Sequence, residues 1–129
     1  MYSVIIPSIG RIEYLNELLR SIYRQTIAAD EILILLDENK KYKEVSNLII
    51  KENNCKIKFC KNLNLPQKRN YGAGIAKNKF LIFSDDDDIW ESMKAKYTID
   101  SLKNYPVFCH EFTKFGSSFQ KPKYLLGKK

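Results

Sequence analysis

Long apolar runs, metal-spaced cysteines and glycine-rich loops are all missing from this sequence of 129 residues. No apolar stretch approaches the roughly 20 residues that a transmembrane helix needs, so a membrane-spanning protein is not predicted. The N-terminus has no basic leader followed by a long apolar block, which argues against a signal peptide. We therefore expect a cytoplasmic protein, with peripheral attachment to a membrane as the alternative.

The three cysteines do not lie in a C-x-x-C or similar metal-ligand spacing. Cys55 and Cys60 flank a predicted strand at an odd separation, which places their side chains on opposite faces of a sheet. We expect these two residues and Cys109 to be reduced, structural thiols in a reducing compartment.

A glycine-rich phosphate loop of the Walker type is also missing after the first predicted strand, which argues against a phosphoryl-transfer enzyme of that class. Internal repeats and linker-like segments are absent as well, so we expect one domain over residues 1–116. Residues 117–129 are basic and show no periodicity, and we expect a mobile tail there.

The sequence has an excess of basic over acidic residues, with a net charge of +7, and 44% of its residues are hydrophobic. This composition is typical of a globular protein that is long enough to bury a core. A basic surface suits phosphates, nucleotides, nucleic acids or an anionic membrane face, and the charge alone does not choose among them. Aromatic residues interleave with lysines only in the tail, so nucleic-acid binding is the weaker interpretation.

Strand-like apolar runs alternate with amphipathic segments along the chain. Strands are predicted at 2–6, 32–36, 56–60, 80–83 and 106–112, and helices at 12–23, 42–52, from 66 onwards and 91–103. Because most of the strands are continuously apolar and alternate with helices, they predict an α/β fold, with a mainly parallel sheet and helices on both faces. The last helix is expected to bury Met93, Tyr97 and Leu102, and the helix after Pro66 carries two glycines that indicate close backbone packing.

The most informative stretch is the apolar strand at 80–83, which leads into four consecutive aspartates, Asp85–Asp88. Adjacent carboxylates repel one another, and a divalent cation such as Mg²⁺ or Mn²⁺ would relieve that repulsion. The end of a buried strand is also where open α/β sheets bind their ligands. The alternative is a solvated acidic turn in which Asp88 caps the next helix. We interpret Trp90, which follows, as a core residue rather than a platform for a sugar.

Right-handed crossovers would bring the carboxyl ends of the parallel strands to one edge of the sheet. This edge collects residues 7–11, 37–39, 62–69 and 85–88. Arg11, Lys68 and Arg69 favour phosphate, and they would lie beside carboxylates, which favour a cation. A nucleoside diphosphate bridged by a metal ion has this mixed character. The alternative for both arginines is that they are solvated charges at helix starts.

Four segments carry a more specific signal, and they occur in a fixed order. They are Ser3–Ser8 with Arg11, then Glu31–Asp37, Asn62–Gly72 and the Asp-x-Asp-like Phe83–Trp90. Together they resemble the family 2 glycosyltransferases, whose nucleotide-binding fold is called GT-A. The likeness covers most of residues 3–90, so the chain resembles a short form that contains mainly the nucleotide-binding half. The resemblance implies a GT-A, Rossmann-like fold.

The resemblance also implies a metal-dependent, inverting transfer of a sugar from a nucleotide sugar, with UDP the expected nucleotide, to a hydroxyl of a glycan or another acceptor. Together with the edge of the sheet, it assigns nucleotide binding to Pro7, Ser8, Arg11, Asp37, Lys68, Arg69, Asn70, Asp85 and Asp86. The metal, Mn²⁺ or Mg²⁺, would be held by Asp87 and Asp85, and Asp87 would thereby take part in catalysis.

The chain also departs from the family pattern. Leu36-Asp37 stands where two acidic residues are usual, Asn64 replaces a glycine, and members usually continue for as long again. Glu111, with His110 as the weaker choice, is the candidate base that deprotonates the acceptor, although either residue could simply end a strand. A second hypothesis is therefore a nucleotide-sugar-binding module that has lost transfer activity, or that needs a homo-oligomer or a partner subunit.

Overall fold

A computed structural model of the chain describes residues 1–113, and the predicted tail at 117–129 lies outside the described residues. One parallel sheet in the order β3-β2-β1-β4 is built from β1 (Tyr2–Pro7), β2 (Glu31–Asp37), β3 (Cys55–Cys60) and β4 (Phe80–Phe83). The helices are α1 (Ile12–Tyr23), α2 (Lys40–Val45), α3 (Leu65–Ile75) and α4 (Lys94–Leu102). The predicted α/β class is confirmed. None of the described helices combines the length and the hydropathy that crossing a bilayer requires.

Successive residues of β1 face two different cores, because side chains alternate along a strand. Val4 and Ile6 pack into the larger core together with the buried faces of α1 and α4. Ile5 faces the smaller core, where it joins Leu35 and Cys60 beneath α3. Helices therefore cover both faces of the sheet, as predicted.

Helix α1 follows the apolar pattern that the sequence shows. Leu15, Leu18, Leu19 and Ile22 recur at spacings of three and four, and all four are buried. Burying side chains of this size contributes roughly 1.5–3 kcal/mol each. The helix is thus held firmly against the sheet, and it fixes where the loop between β1 and α1 must run.

Helix α2 is shorter than the predicted helix at 42–52. It ends at Val45 and continues only as a 3-10 turn, Ser46–Leu48, with no buried residue in either segment. The side chain of Asn39 starts it early, because its Oδ1 accepts a hydrogen bond from the Tyr42 amide at 2.9 Å. Ile49, the buried apolar residue of this region, follows the turn rather than facing the core from a helix.

Helix α4 begins later than predicted and buries a different face. Its buried residues are Ala95, Thr98 and Ile99 rather than the predicted Met93, Tyr97 and Leu102. The amide of Ala95 donates a hydrogen bond of 2.9 Å to Oε1 of the buried Gln25 on the segment after α1. This contact holds the first turn of α4 against the segment after α1, and Tyr97 is exposed.

The predicted strand at 106–112 is wrong, because residues 106–113 form no strand. Val107 and Phe112 are exposed, and β4 pairs only with β1 among the described strands. As a result β4 lies at the edge of the described sheet, with Ile82 buried and Phe83 exposed. The predicted strand at 80–83 is confirmed, and of its four residues only Ile82 is buried.

The predictions for the cysteines are also confirmed only in part. Cys55 and Cys60 are buried in opposite cores, as their odd spacing predicted. Cys109 is exposed, so the prediction that it is a structural thiol is wrong. All three are free thiols.

The close packing predicted for the glycines of α3 is found at one of them. A Cβ atom on Gly72 would lie 2.6 Å from Cγ2 of Ile5 and 2.9 Å from Cδ1 of Leu35. A Cβ atom on Gly74 would meet no heavy atom within 4 Å. Gly72 thus lets α3 approach the centre of the sheet, and Gly74 has no such role.

We predict opposite effects of alanine at these two positions. Gly72→Ala should destabilise the protein by about 1–3 kcal/mol, because the added methyl group overpacks the contact with β1 and β2. Gly74→Ala is the matched control, and it should be neutral or stabilise by up to about 1 kcal/mol, since alanine favours the helix. Urea unfolding followed by circular dichroism measures both, and equal effects would contradict the close approach at Gly72.

Candidate functional site

The loops that follow β1 and β4 meet at the carboxyl edge of the sheet. The amide of Ser8 donates to the carbonyl oxygen of Leu35 at 2.9 Å, and the amide of Ser84 donates to that of Ile5 at 3.1 Å. These bonds continue the sheet pairing for one residue beyond each strand. The structure therefore brings the loop after β1 and the aspartate run together, as the parallel arrangement predicted.

Asp86 joins these two loops. Its side chain is buried, and Oδ2 accepts hydrogen bonds from Oγ of Ser8 at 2.6 Å and from the amide of Ile9 at 3.3 Å. Its Oδ1 is paired with the guanidinium of Arg11, and this hydrogen bond raises the pKa of Arg11. The carboxylate thus holds the turn between β1 and α1 in place. The sequence pattern placed Asp86 in the nucleotide site and did not reveal this connecting role.

Asp85 and Asp87 lie on either side of Asp86 and are about half-exposed. Oδ1 of Asp85 is 2.6 Å from Nη2 of Arg69, and Oδ2 of Asp87 is 3.1 Å from Nη1 of Arg11. Two arginines therefore offset part of the charge of the run, and the expectation that a divalent cation binds these aspartates stays a prediction.

Asp88 completes the run and turns back onto it. Its Oδ2 accepts a hydrogen bond from the amide of Asp85 at 3.3 Å, and partial burial raises the pKa of its carboxyl. The prediction that Asp88 caps the next helix is wrong, since α4 starts only at Lys94. Glu91 lies three residues before that helix, and its Oε2 accepts from the amide of Met93 at 3.0 Å.

Trp90 is buried, as predicted, and it supports the aspartate loop from below. Its Nε1 donates a hydrogen bond of 2.9 Å to Oγ of Ser84, and its amide donates to Oγ of Ser21 on α1, also at 2.9 Å. Trp90 therefore connects the end of β4 to α1, through its indole on one side and its backbone amide on the other.

A second ion pair lies at the end of β2. Nζ of Lys68 is 2.8 Å from Oδ1 of Asp37, and it donates a hydrogen bond of 3.2 Å to the carbonyl oxygen of Ser8. Lys68 is only 4% exposed, whereas the Asp37 side chain is 41% exposed. The lysine thus approaches the carboxylate from inside the protein.

The start of α3 is set by a capping box. Oδ1 of Asn64 accepts from the amide of Gln67, and Oε1 of Gln67 accepts from the amide of Asn64, both at 2.9 Å. Pro66 lies in the first turn, as predicted. Asn64, which departs from the family pattern, thereby directs Lys68 and Arg69 towards the strand ends.

The remaining predicted site residues occupy different surroundings. Pro7 ends β1 and is buried, whereas Asn70 is exposed on α3 and makes no hydrogen bond to the aspartate run within residues 1–113. Glu111 is exposed in an irregular segment rather than in the predicted strand. His110 lies against Oγ1 of Thr98 in α4, and burial lowers the pKa of its imidazole.

An open groove of about 1650 Å³ runs beside β4 and α4. Asp85, Asp88 and Glu111 all line it, together with the exposed Phe83. The groove therefore connects the aspartate run with the segment that carries the candidate base.

The donor set for a metal ion is incomplete in the protein alone. Within residues 1–113, no three His, Cys, Asp or Glu side chains converge in a way that could hold a metal ion. Asp85 and Asp87 nevertheless offer accessible carboxylate oxygens, and Mg²⁺ often binds one or two carboxylates together with phosphate oxygens and water. The residues present thus fit a cation whose coordination a phosphate ligand completes.

Comparison with known sequences points to one family. The family described as glycosyl transferase family 2 matches residues 3–126. An uncharacterized glycosyltransferase of Rickettsia conorii is 30% identical over 125 residues, which cover 95% of this chain and 20% of that protein. An uncharacterized glycosyltransferase of Haemophilus influenzae is 29% identical over 106 residues, which cover 82% of this chain and 36% of that protein. The chain thus spans well under half the length of these relatives.

Solved structures of TarS from S. aureus share the fold. The complexes of its residues 1–349 with UDP-GlcNAc and with UDP superpose with TM-scores of 0.59 and 0.58, each at 22% identity. Each match covers 79% of this chain, and 31% and 32% of the respective TarS chains. The fold of this chain is therefore GT-A, as the resemblance implied.

We predict that Asp86 contributes more to stability than its neighbour in the run. Asp86→Ala should lower the free energy of unfolding by about 1.5–3 kcal/mol, because it removes a buried charged acceptor that joins two loops. Asp87→Ala is the control, and as an exposed ion pair it should change stability by about 1 kcal/mol or less. Urea unfolding at pH 7 measures both variants. A smaller effect of Asp86→Ala would show that the connection between the loops is not needed.

Proposed function

Because the chain belongs to glycosyl transferase family 2, we propose that it binds a nucleotide sugar at the carboxyl edge of its sheet and transfers the sugar to an acceptor hydroxyl. The observation that carries this proposal is the convergence of Arg11 and Arg69 with Asp85 and Asp87. Guanidinium groups recognise phosphate oxygens, and carboxylates recognise the cation that accompanies them. TarS was crystallised with UDP and UDP-GlcNAc, which supports a UDP-linked donor.

The nucleoside part of the donor would lie over the ends of β1 and β2. Pro7 and Ser8 would line the pocket, and Asp37 would accept a hydrogen bond from the uracil or the ribose. Lys68 lies behind Asp37 and belongs to the same pocket. Asp85, at the end of β4, would lie near the ribose.

The diphosphate would lie between α1 and α3. Arg11 and Arg69 are paired with aspartates in the free protein, and they can turn to phosphate oxygens when these arrive. Asn70 would assist Arg69 from the same helix. Asp86 would act in the pocket by holding Arg11 and Ser8 in place.

Asp87, together with Asp85, would hold Mg²⁺ or Mn²⁺. Such a cation, when bound, stabilises the negative charge of a departing diphosphate. Glu111 would deprotonate the acceptor hydroxyl, and its position on the groove that also contains Asp85 and Asp88 supports this role. His110 is the weaker candidate, since it lies against Thr98.

The relatives are much longer, so elements that bind the acceptor would come from further chain, a second copy or a partner subunit. The free thiols of Cys55, Cys60 and Cys109 fit a cytoplasmic location.

We predict that UDP binds more tightly in the presence of Mn²⁺ and that this difference depends on Asp87. The affinity of the unaltered protein should rise about tenfold or more with Mn²⁺, which corresponds to about 1.4 kcal/mol. Asp87→Ala should remove the rise, because a ligand of the cation is lost. Isothermal titration calorimetry with and without Mn²⁺ measures both.

The control for this experiment is Asp100→Ala. Asp100 is an exposed carboxylate on α4 that pairs with Lys96 and Lys103, and these cations lower the pKa of its carboxyl to about 2. Its removal should leave UDP binding unchanged. An undiminished response to Mn²⁺ in Asp87→Ala would contradict the assigned metal site, and a failure of the unaltered protein to bind UDP would contradict the proposed function.

We further predict that Glu111→Gln separates binding from transfer. If Glu111 is the base, the variant should release UDP from a UDP-sugar about 10²–10⁴-fold more slowly, because a general base contributes a factor of this size. Its affinity for UDP should stay the same. A coupled assay of UDP release over a panel of UDP-sugars measures the rate. Binding without release by the unaltered protein would favour the alternative of a nucleotide-sugar-binding module.

A further inference from the structure

Lys68 is a residue of α3 whose ammonium lies at the end of β2. The packing of the core does not explain why this lysine is buried. Lys68 is 4% exposed, and lysines are seldom buried to this degree unless their charge is paired. It lies on the same buried face of α3 as Gly72, which packs against the sheet four residues later. The close approach of the helix brings the Lys68 ammonium directly beneath the strand ends.

Both partners of this ammonium belong to the proposed nucleotide pocket. Oδ1 of Asp37 lies 2.8 Å from Nζ, and the carbonyl oxygen of Ser8 lies 3.2 Å from it. Ser8 in turn donates through Oγ to Asp86 at 2.6 Å. One buried cation thus connects the end of β2 with the loop after β1 and, through that loop, with the aspartate run.

The ion pair with Lys68 gives the two carboxylate oxygens of Asp37 different roles. Because Lys68 is buried and the Asp37 side chain is 41% exposed, Oδ1 is directed inward and Oδ2 is left for the pocket. A carboxylate held in this way has one fixed orientation. It can therefore accept a hydrogen bond from an N–H or O–H group of a ligand without first losing side-chain freedom.

We propose that Lys68 is a positioning residue for the nucleoside: it orients Asp37 towards a donor group of the base or ribose and does not contact the phosphates. This inference rests on the proposed function, since it names how that pocket recognises the nucleoside. The burial of Nζ separates Lys68 from Arg11 and Arg69, whose partly exposed side chains pair with the aspartate run. The three cations of the edge thus serve two different parts of the same ligand.

The test compares uridine, UMP and UDP, which share the nucleoside and differ in the number of phosphates. Lys68→Met keeps the length of the buried stem and removes the charge. The variant should lower the affinity for all three ligands by a similar factor of roughly tenfold, which is the effect of losing one charge-assisted hydrogen bond. Calorimetry without metal measures the affinities. Lys58→Met, at an exposed lysine of β3, is the control and should change none of them.

A second set of variants separates positioning from a general structural effect. Asp37→Asn should lower the affinity for the three ligands by a similar factor. When Lys68→Met is added to Asp37→Asn, the affinity should fall little further. A lysine that merely supported the fold would weaken binding equally in both backgrounds. Urea unfolding checks that each variant folds, and Lys68→Gln, which retains an N–H donor, replaces Lys68→Met should that variant fail to fold.

The outcomes separate the two proposals. A loss that is confined to UMP and UDP, or that grows with each phosphate, overturns the positioning role and assigns Lys68 to the phosphates. Equal losses in both backgrounds overturn it as well. If the unaltered protein binds none of the three ligands, the proposed function itself fails, and the inference fails with it.

Discussion

The buried carboxylate of Asp86 is the constraint on which the arrangement at the strand ends depends. A charge in the protein interior is tolerated only when donors surround it, and Ser8, Ile9 and Arg11 supply them. All three donors come from the loop after β1, whereas Asp86 follows β4. Satisfying one charge therefore fixes two neighbouring loops relative to each other, and Asp85 and Asp87 take their half-exposed positions as a result.

Similar ion pairs lie at the ends of β2 and β4, where the anion ends or follows a strand and the cation comes from the start of a helix. Arg11 precedes α1, and Lys68 and Arg69 lie in the first turns of α3. Their partners follow β4 or end β2. Four carboxylates share three cations in this set, so the edge keeps a net negative charge. All of these carboxylates except the buried Asp86 are partly exposed.

Helices and strands that carry a strong apolar pattern in their own sequence are mostly predicted correctly. The helix at 12–23 and the strands at 32–36 and 80–83 each carry a strong apolar period or run, and each was found. The errors concern segments whose partners lie elsewhere in the chain. The face of α4 depends on a hydrogen bond from Ala95 to Gln25, and the apolar run at 106–112 has no strand beside it in the described sheet. Helix and strand propensities are a weak guide where a contact with a distant segment determines the local structure.

For the site, the sequence by itself determined which residues meet, because parallel strands with helical crossovers must bring their carboxyl ends to one edge. The acidic run, Asp37 and the basic residues before and within the helices were all placed there from their order along the chain. Only the tertiary structure decided how the charges are divided: Asp86 and Lys68 face inward, and Asp85 and Asp87 face outward. The reason is that four adjacent aspartates are chemically alike, and only the positions of donors from distant segments distinguish them.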